Sequence, residues 1–163
     1  MSLKSLQDLY IEELKDIYSA EKQILQALPK MAKAASNEEL QLAFKNHLEV
    51  TKDQVTRLET IFEDLERRPQ GKKCQGMAGL VEEGKEMMEE DGDPDVKDAA
   101  LIASAQRIEH YEISAYGTVR TFAKELGFDN HVKLLQKTLD EEGQTDKLLS
   151  GMAVKGVNRR AQS

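Results

Sequence analysis

Tryptophan is absent from the 163 residues, cysteine occurs once, proline three times, and aromatic residues make up only 5%. The lone Cys74 excludes an internal disulfide and reads as a small buried hydrophobe with no chemistry assigned to it. The shortage of aromatic residues and proline works against strands and turns and favours straight-chain helix formers. No apolar run approaches the roughly 20 residues needed to span a bilayer, and the opening Met-Ser-Leu-Lys-Ser lacks the apolar block of a secretory signal, so the cytoplasm is the expected location. Basic charge is short as well: 23 Lys and Arg stand against 30 Asp and Glu, for a net charge of −7. Such a surface repels a phosphate backbone, which excludes nucleic acid as a direct partner. Arg159 and Arg160 read as a solvated end. What remains is a chain suited to one all-α domain over residues 1–158, with a short tail at 159–163.

The apolar residues recur at helical spacing. Leu14, Ile17, Ile24 and Leu28 predict a first helix from a cap at Ser2 to about Ala35, with a kink near Pro29. Ser36 and Glu39 read as a capping box opening a second helix over 37–65, which buries Leu40, Phe44, Leu58 and Ile61 and ends before the Arg-Arg-Pro-Gln-Gly break at 67–71. Met77, Leu80, Val81 and Met87 predict a short amphipathic helix within the connection 71–92. Asp93 and Pro94 start a third long helix that Gly127 ends, and Asp129 caps a fourth running to about Val154. Two long hairpins joined by a long crossover that carries a short fifth helix match a ferritin-like four-helix bundle better than an up-down bundle with short loops.

Some polar residues fall on the apolar faces. At about 100° per residue, Glu21 sits in the stripe of Leu14, Ile17, Ile24 and Leu28. In the second helix His47 is central, with Thr51 and Gln54 beside it and Glu49 opposite. Glu109 and Glu112 lie among Leu101, Ala105, Ile108 and Val119, with Tyr116 one turn on. Glu142 falls between Leu135, Leu139 and Leu149, and Asp146 follows it by one turn. Counting from each turn places these residues at similar heights. An inward glutamate can pair with Lys or Arg or share a proton. Several ionised together call for metal cations, and oxygen ligands plus an imidazole suit iron or manganese. Glu21, His47, Glu109, Glu112, Glu142 and Asp146 are therefore the candidate metal ligands. Gly143, inside the fourth helix, costs about 1 kcal/mol relative to alanine.

Tyr-Ser-Ala-Glu-Lys-Gln at 18–23, His-Leu-Glu-Val-Thr at 47–51, Asp-Ala-Ala-Leu-Ile-Ala at 98–103, Glu-His-Tyr-Glu-Ile-Ser-Ala-Tyr-Gly-Thr at 109–118 and Leu-Asp-Glu-Glu at 139–142 carry a family likeness. Over nearly its whole length the chain resembles the YciF/YciE family of bacterial stress-associated, ferritin-like proteins. The resemblance implies a homodimeric helical bundle with a rubrerythrin-like metal centre and a link to osmotic or general stress, without implying a reaction. Relatives tend to carry a carboxylate just before Thr51, and some carry a histidine just after it. Val50 and Lys52 stand there, so half of a Glu-x-x-His pair is expected to be missing.

Two functions follow as expectations. One is a di-metal protein, with iron or manganese, that oxidises ferrous iron with peroxide or dioxygen; Tyr116 is then a packed core residue or a donor to the site. The other is a non-catalytic structural dimer whose inward polar groups pair with each other. No sequence feature specifies the contacts of a 24-subunit storage shell.

Overall fold

The computed structural model describes residues 3–163, all helices and connections, with no strand among the described residues. The helices are α1 (Leu6–Ala34), α2 (Glu38–Asp64), α3 (Gln75–Glu89), α4 (Pro94–Glu125) and α5 (Asp129–Met152). α5 then continues through a π-helical turn, Ala153–Val157, and a last turn, Asn158–Arg160, instead of stopping near Val154. Buried Val157 anchors this extension, and Arg160 Nε lies 3.4 Å from Asp95 Oδ1. No helix of the described residues is long and apolar enough to cross a membrane.

The caps differ from the sequence expectation in instructive ways. Ser2 lies outside the described residues; Ser5 caps α1, its Oγ accepting the Asp8 N–H at 3.1 Å. α1 runs through Pro29 unbroken. The start of α2 is capped by Asn37, which accepts the Leu40 N–H at 3.0 Å, and not by a Ser36–Glu39 box. In a capping box the glutamate accepts the cap's own N–H. Here Asp98, from α4, has taken that role, accepting the Ser36 and Asn37 N–H groups at 2.8 Å each. Asp129 sits in the first turn of α5, and the cap position is Phe128. Gly127, at φ +77°, lets the chain close α4 by a Phe128 N–H bond to the Ala123 carbonyl at 2.9 Å. In α3 it is Met88 that packs inward, while Met87 is exposed. α5 passes through Gly143 without a break, and a Cβ there would meet no atom within 4 Å.

Asp98 is 1% exposed, while Ser36 is exposed and Asn37 half-buried, so its two bonds sit at the edge of the core. Asp98→Ala would remove the charged acceptor of two N–H groups at the start of α2, and we expect a loss of about 2 kcal/mol. In a chain of this length that is a fall in Tm of about 4–8 °C, read by circular dichroism.

α1 packs on α2 and α4, α5 on α4 and α2, and α3 rests on α1 and α4. The apolar core comes in two parts. One gathers Ile24, Leu28, Leu40, Phe44, Leu101, Ile108 and Leu149; the other gathers Leu14, Ile17, Leu58, Ile61, Tyr116, Val119 and Leu135. Between them every long helix contributes buried polar residues at one level: Glu21, then His47, Thr51 and Gln54, then Glu109 and Glu112, then Glu142.

Candidate metal centre

Glutamate is an ordinary helix former, so nothing in local propensity resists placing it on an apolar face. The cost appears on packing, when its charge leaves water. Glu21, Glu109, Glu112 and Glu142 are all at most 2% exposed. Among the described residues no lysine or arginine forms an ion pair with any of them; the nearby Arg57 is engaged by Glu141 at 2.7 Å. The alternative of Lys or Arg neutralisation is therefore not what the structure adopts.

One atom each of His47, Glu109, Glu112 and Glu142 can be chosen so that all lie within 4.8 Å of one another. His47 Nε2 is 3.0 Å from Glu109 Oε1 and 3.8 Å from Glu142 Oε2, yet it makes no aligned hydrogen bond. Donor atoms that are close but not directed at each other converge on a shared point, as ligands do. Glu21 adjoins this group and accepts a 2.5 Å hydrogen bond from the Tyr116 hydroxyl. Glu21 Oε2, Glu109 Oε2, both oxygens of Glu112 and Glu142 Oε2 have no hydrogen-bond partner. Native proteins rarely leave so many buried oxygens together unsatisfied, and the set of four carboxylates with one imidazole fits a hard or borderline divalent metal.

The electrostatics show what this burial costs the charged forms. Burial, then the charge of Glu142, pushes Glu21 up to about 8. Burial pushes Glu109 to about 7, with the charge of Glu21 adding to it. Glu112 and Glu142 are driven well above the usual carboxylate range, first by burial and then by their carboxylate neighbours. Tyr116 is raised for the same two reasons, so its hydroxyl keeps its proton and remains a donor to Glu21.

Of the six residues expected to bind metal, His47, Glu109, Glu112 and Glu142 are brought together, Glu21 adjoins them, and Asp146 stands apart. It is half-buried on the outer side of α4 and α5, 3.0 Å from His110 Nε2 and accepting from Gln106 at 3.1 Å. The departure at Val50 and Lys52 does not touch the centre: Lys52 is exposed and pairs with Glu49 at 2.7 Å, and Val50 is only half-buried. Besides Glu109 with Glu112 on α4, the inward polar i, i+3 pairs are Thr51 with Gln54 and Glu142 with Thr145. Where the recurrent di-metal pairs place histidine, this chain has Gln54 and Thr145. Gln54 Nε2 donates to Glu142 Oε1, leaving its own Oε1 unpartnered. Thr145 Oγ1 lies 3.4 Å from His47 Nδ1 and steers the ring, so the imidazole missing from α5 is supplied by α2. The helical stripe pointed to Gln54 without a role; Thr145 had no signal beyond its three-residue spacing from Glu142. A cavity of about 20 Å³, which reaches exposed Leu148, borders the centre, with Glu109 and Thr145 as the polar groups of a lining that includes Ile24, Leu28 and Phe44.

The family model described as a domain of unknown function, DUF892, matches residues 5–162. This chain belongs to the DUF892 family. Protein YciF of Escherichia coli (strain K12) is 45% identical, covering 100% of this chain and 99% of its own length. The crystal structure of the E. coli stress protein YciF superposes with a TM-score of 0.92 at 46% identity, over 95% of this chain and 98% of that one. A Rhodopseudomonas palustris protein described as structural gives a TM-score of 0.89 at 42% identity, over 91% and 95%. The DUF892 fold thus extends over nearly the whole chain and includes every residue of the carboxylate layer.

Proposed function

We propose that this protein is a ferritin-like four-helix bundle whose buried layer holds two divalent ions, iron or manganese, in a homodimeric, cytoplasmic, stress-associated protein. The observation that carries this reading is the set of partnerless buried oxygens on Glu21, Glu109, Glu112 and Glu142. Four carboxylates match the charge of two divalent cations, whereas one would leave the core doubly negative. Glu21, Glu109, Glu112 and Glu142 would hold the pair, with His47 the single nitrogen donor. Such ions supply open coordination positions at which ferrous iron meets peroxide or dioxygen. The chain's own part is to fix the carboxylates between two apolar clusters, to aim His47 from Thr145, and to keep a proton donor on Glu21 at Tyr116. The link to stress rests on the likeness to the E. coli stress protein YciF.

Anaerobic loading of chelator-stripped protein with ferrous or manganous ion, followed by elemental analysis, tests this. About two ions retained per chain is the expected result for a site of this kind. Retention of none would overturn it in favour of a metal-free structural dimer. That second reading draws on Gln54 and Thr145 standing where histidines recur, and on the R. palustris relative described as structural.

A further inference from the structure

A second cavity lies between α1, α3 and α4, and shares Ala27, Met31 and Ile108 with the small cavity beside Glu109. α3 does not close fully onto α1 and α4, and a cavity of about 120 Å³ remains between the three helices. Its walls are mostly hydrocarbon, Ala27 and Met31 from α1, Val81 and Met88 from α3 and Ile108 from α4, with the Gln23 and Gln26 side chains also lining it from α1. Ser104 lines it as well, 3% exposed, with its Oγ making no hydrogen bond. A serine in mid-helix ordinarily returns its hydroxyl to the carbonyl one turn back, and Ser104 does not. Facing it is Gly84, where a Cβ would lie 3.6 Å from the Ser104 Cβ and 4.0 Å from its Oγ, so a side chain there would pack directly over the buried hydroxyl. Lysines outnumber acids at the mouth in a chain of net charge −7: Lys30 and Lys85 line the cavity, and Lys33 joins them, with Glu89, in the adjoining depression. Lys30 and Lys33 form no ion pair among the described residues, while Lys85 lies 3.5 Å from Glu82 and 3.9 Å from Glu89.

These features specify an occupant. A space of this size suits one ring, since an apolar cavity of about 150 Å³ takes up benzene. The lysines call for an anionic group at the mouth and the unpaired Ser104 hydroxyl for a polar group at the floor. We propose that the α1–α3–α4 groove binds a monocyclic aromatic carboxylate bearing a ring hydroxyl, of the hydroxybenzoate class, with its carboxylate toward Lys30 and Lys85 and its hydroxyl at Ser104. The proposal does not depend on metal in the carboxylate layer.

The test titrates the full-length ¹⁵N-labelled protein with 4-hydroxybenzoate and, separately, with benzoate and phenol. Saturable shifts confined to the amides around Ala27, Gly84 and Ser104, with Kd below about 1 mM, are expected. Benzoate and phenol, each lacking one of the two polar groups, bind about fivefold more weakly or worse. Ser104→Ala weakens 4-hydroxybenzoate by about the same factor and leaves benzoate unchanged. It also raises Tm by about 2–4 °C, because a buried hydroxyl without a partner is removed. Gly84→Leu fills the groove, favours the helix and abolishes binding. No saturable shifts at about 10 mM ligand, shifts that survive Gly84→Leu, or equal loss of benzoate and 4-hydroxybenzoate in Ser104→Ala would each overturn the assignment.

Discussion

Glu142→Gln is expected to make the metal-free protein more stable while abolishing metal retention. Glu142 is fully buried, its Oε2 has no partner, and the charges around it oppose its ionisation. Glutamine keeps the shape and keeps an oxygen to accept from Gln54, yet carries no charge to desolvate. At pH 8, where carboxylates of this layer begin to ionise, the gain should be about 1–3 kcal/mol, or about 2–12 °C in Tm. Metal affinity moves the other way. Changing an outer hydrogen-bonding partner alone costs 10–100-fold in many metal sites, and loss of a ligand at the centre should exceed about 100-fold. Scanning calorimetry of stripped protein, paired with elemental analysis after anaerobic loading, reads both. A lower Tm in the stripped variant would mean that Glu142 stabilises the fold by itself, as a structural dimer without metal requires.

The metal-free and loaded proteins should also respond to pH in opposite senses. A carboxyl group whose folded pKa is raised favours the fold fully below its unfolded value and loses that contribution as pH climbs through the folded value. For Glu109 that upper value is about 7 and for Glu21 about 8, against a starting value of 4.5 for each. Stripped protein should therefore weaken steadily from about pH 4.5 to pH 8. Metal displaces the same protons, so loading strengthens with pH. With free metal at 100 to 1,000 times its Kd, the stabilisation is about 3–4 kcal/mol, a Tm gap of about 6–16 °C. The gap should be wide at pH 8 and nearly closed at pH 5. Calorimetry at the two pH values decides it; a stripped protein that gains stability as pH rises would contradict the burial of charge described here.

The periodicity of the apolar residues placed the helices within a few residues, because a stripe such as Leu14, Ile17, Ile24 and Leu28 is a property of one helix and is visible in one segment of sequence. The inward direction of Glu21, His47, Glu109, Glu112 and Glu142 was legible for the same reason. What local spacing could not show was anything that joins two helices. Asn37 takes the cap that local sequence assigned to Ser36, and Asp98, arriving from another helix 62 residues from Ser36, accepts the N–H groups that Glu39 was expected to serve. Asp146 has the right spacing from Glu142 but rotates out to Gln106 and His110 on α4. The contact of Thr145 with His47 depends on how α2 and α5 face each other, which no single helix encodes. Val50 and Lys52 drew attention as departures from relatives, whereas the turn of α2 puts Thr51 and Gln54 at the centre.

The narrow hydrocarbon-lined cavity beside Glu109 also bears on timing. A space of about 20 Å³ holds one molecule the size of water. A divalent ion wearing its hydration shell is larger than this space. Were the centre to take metal by this face, the helices would have to part first, and uptake should level off as metal concentration rises. Filling the centre would then be paced by the motion of the helices and not by the supply of ions.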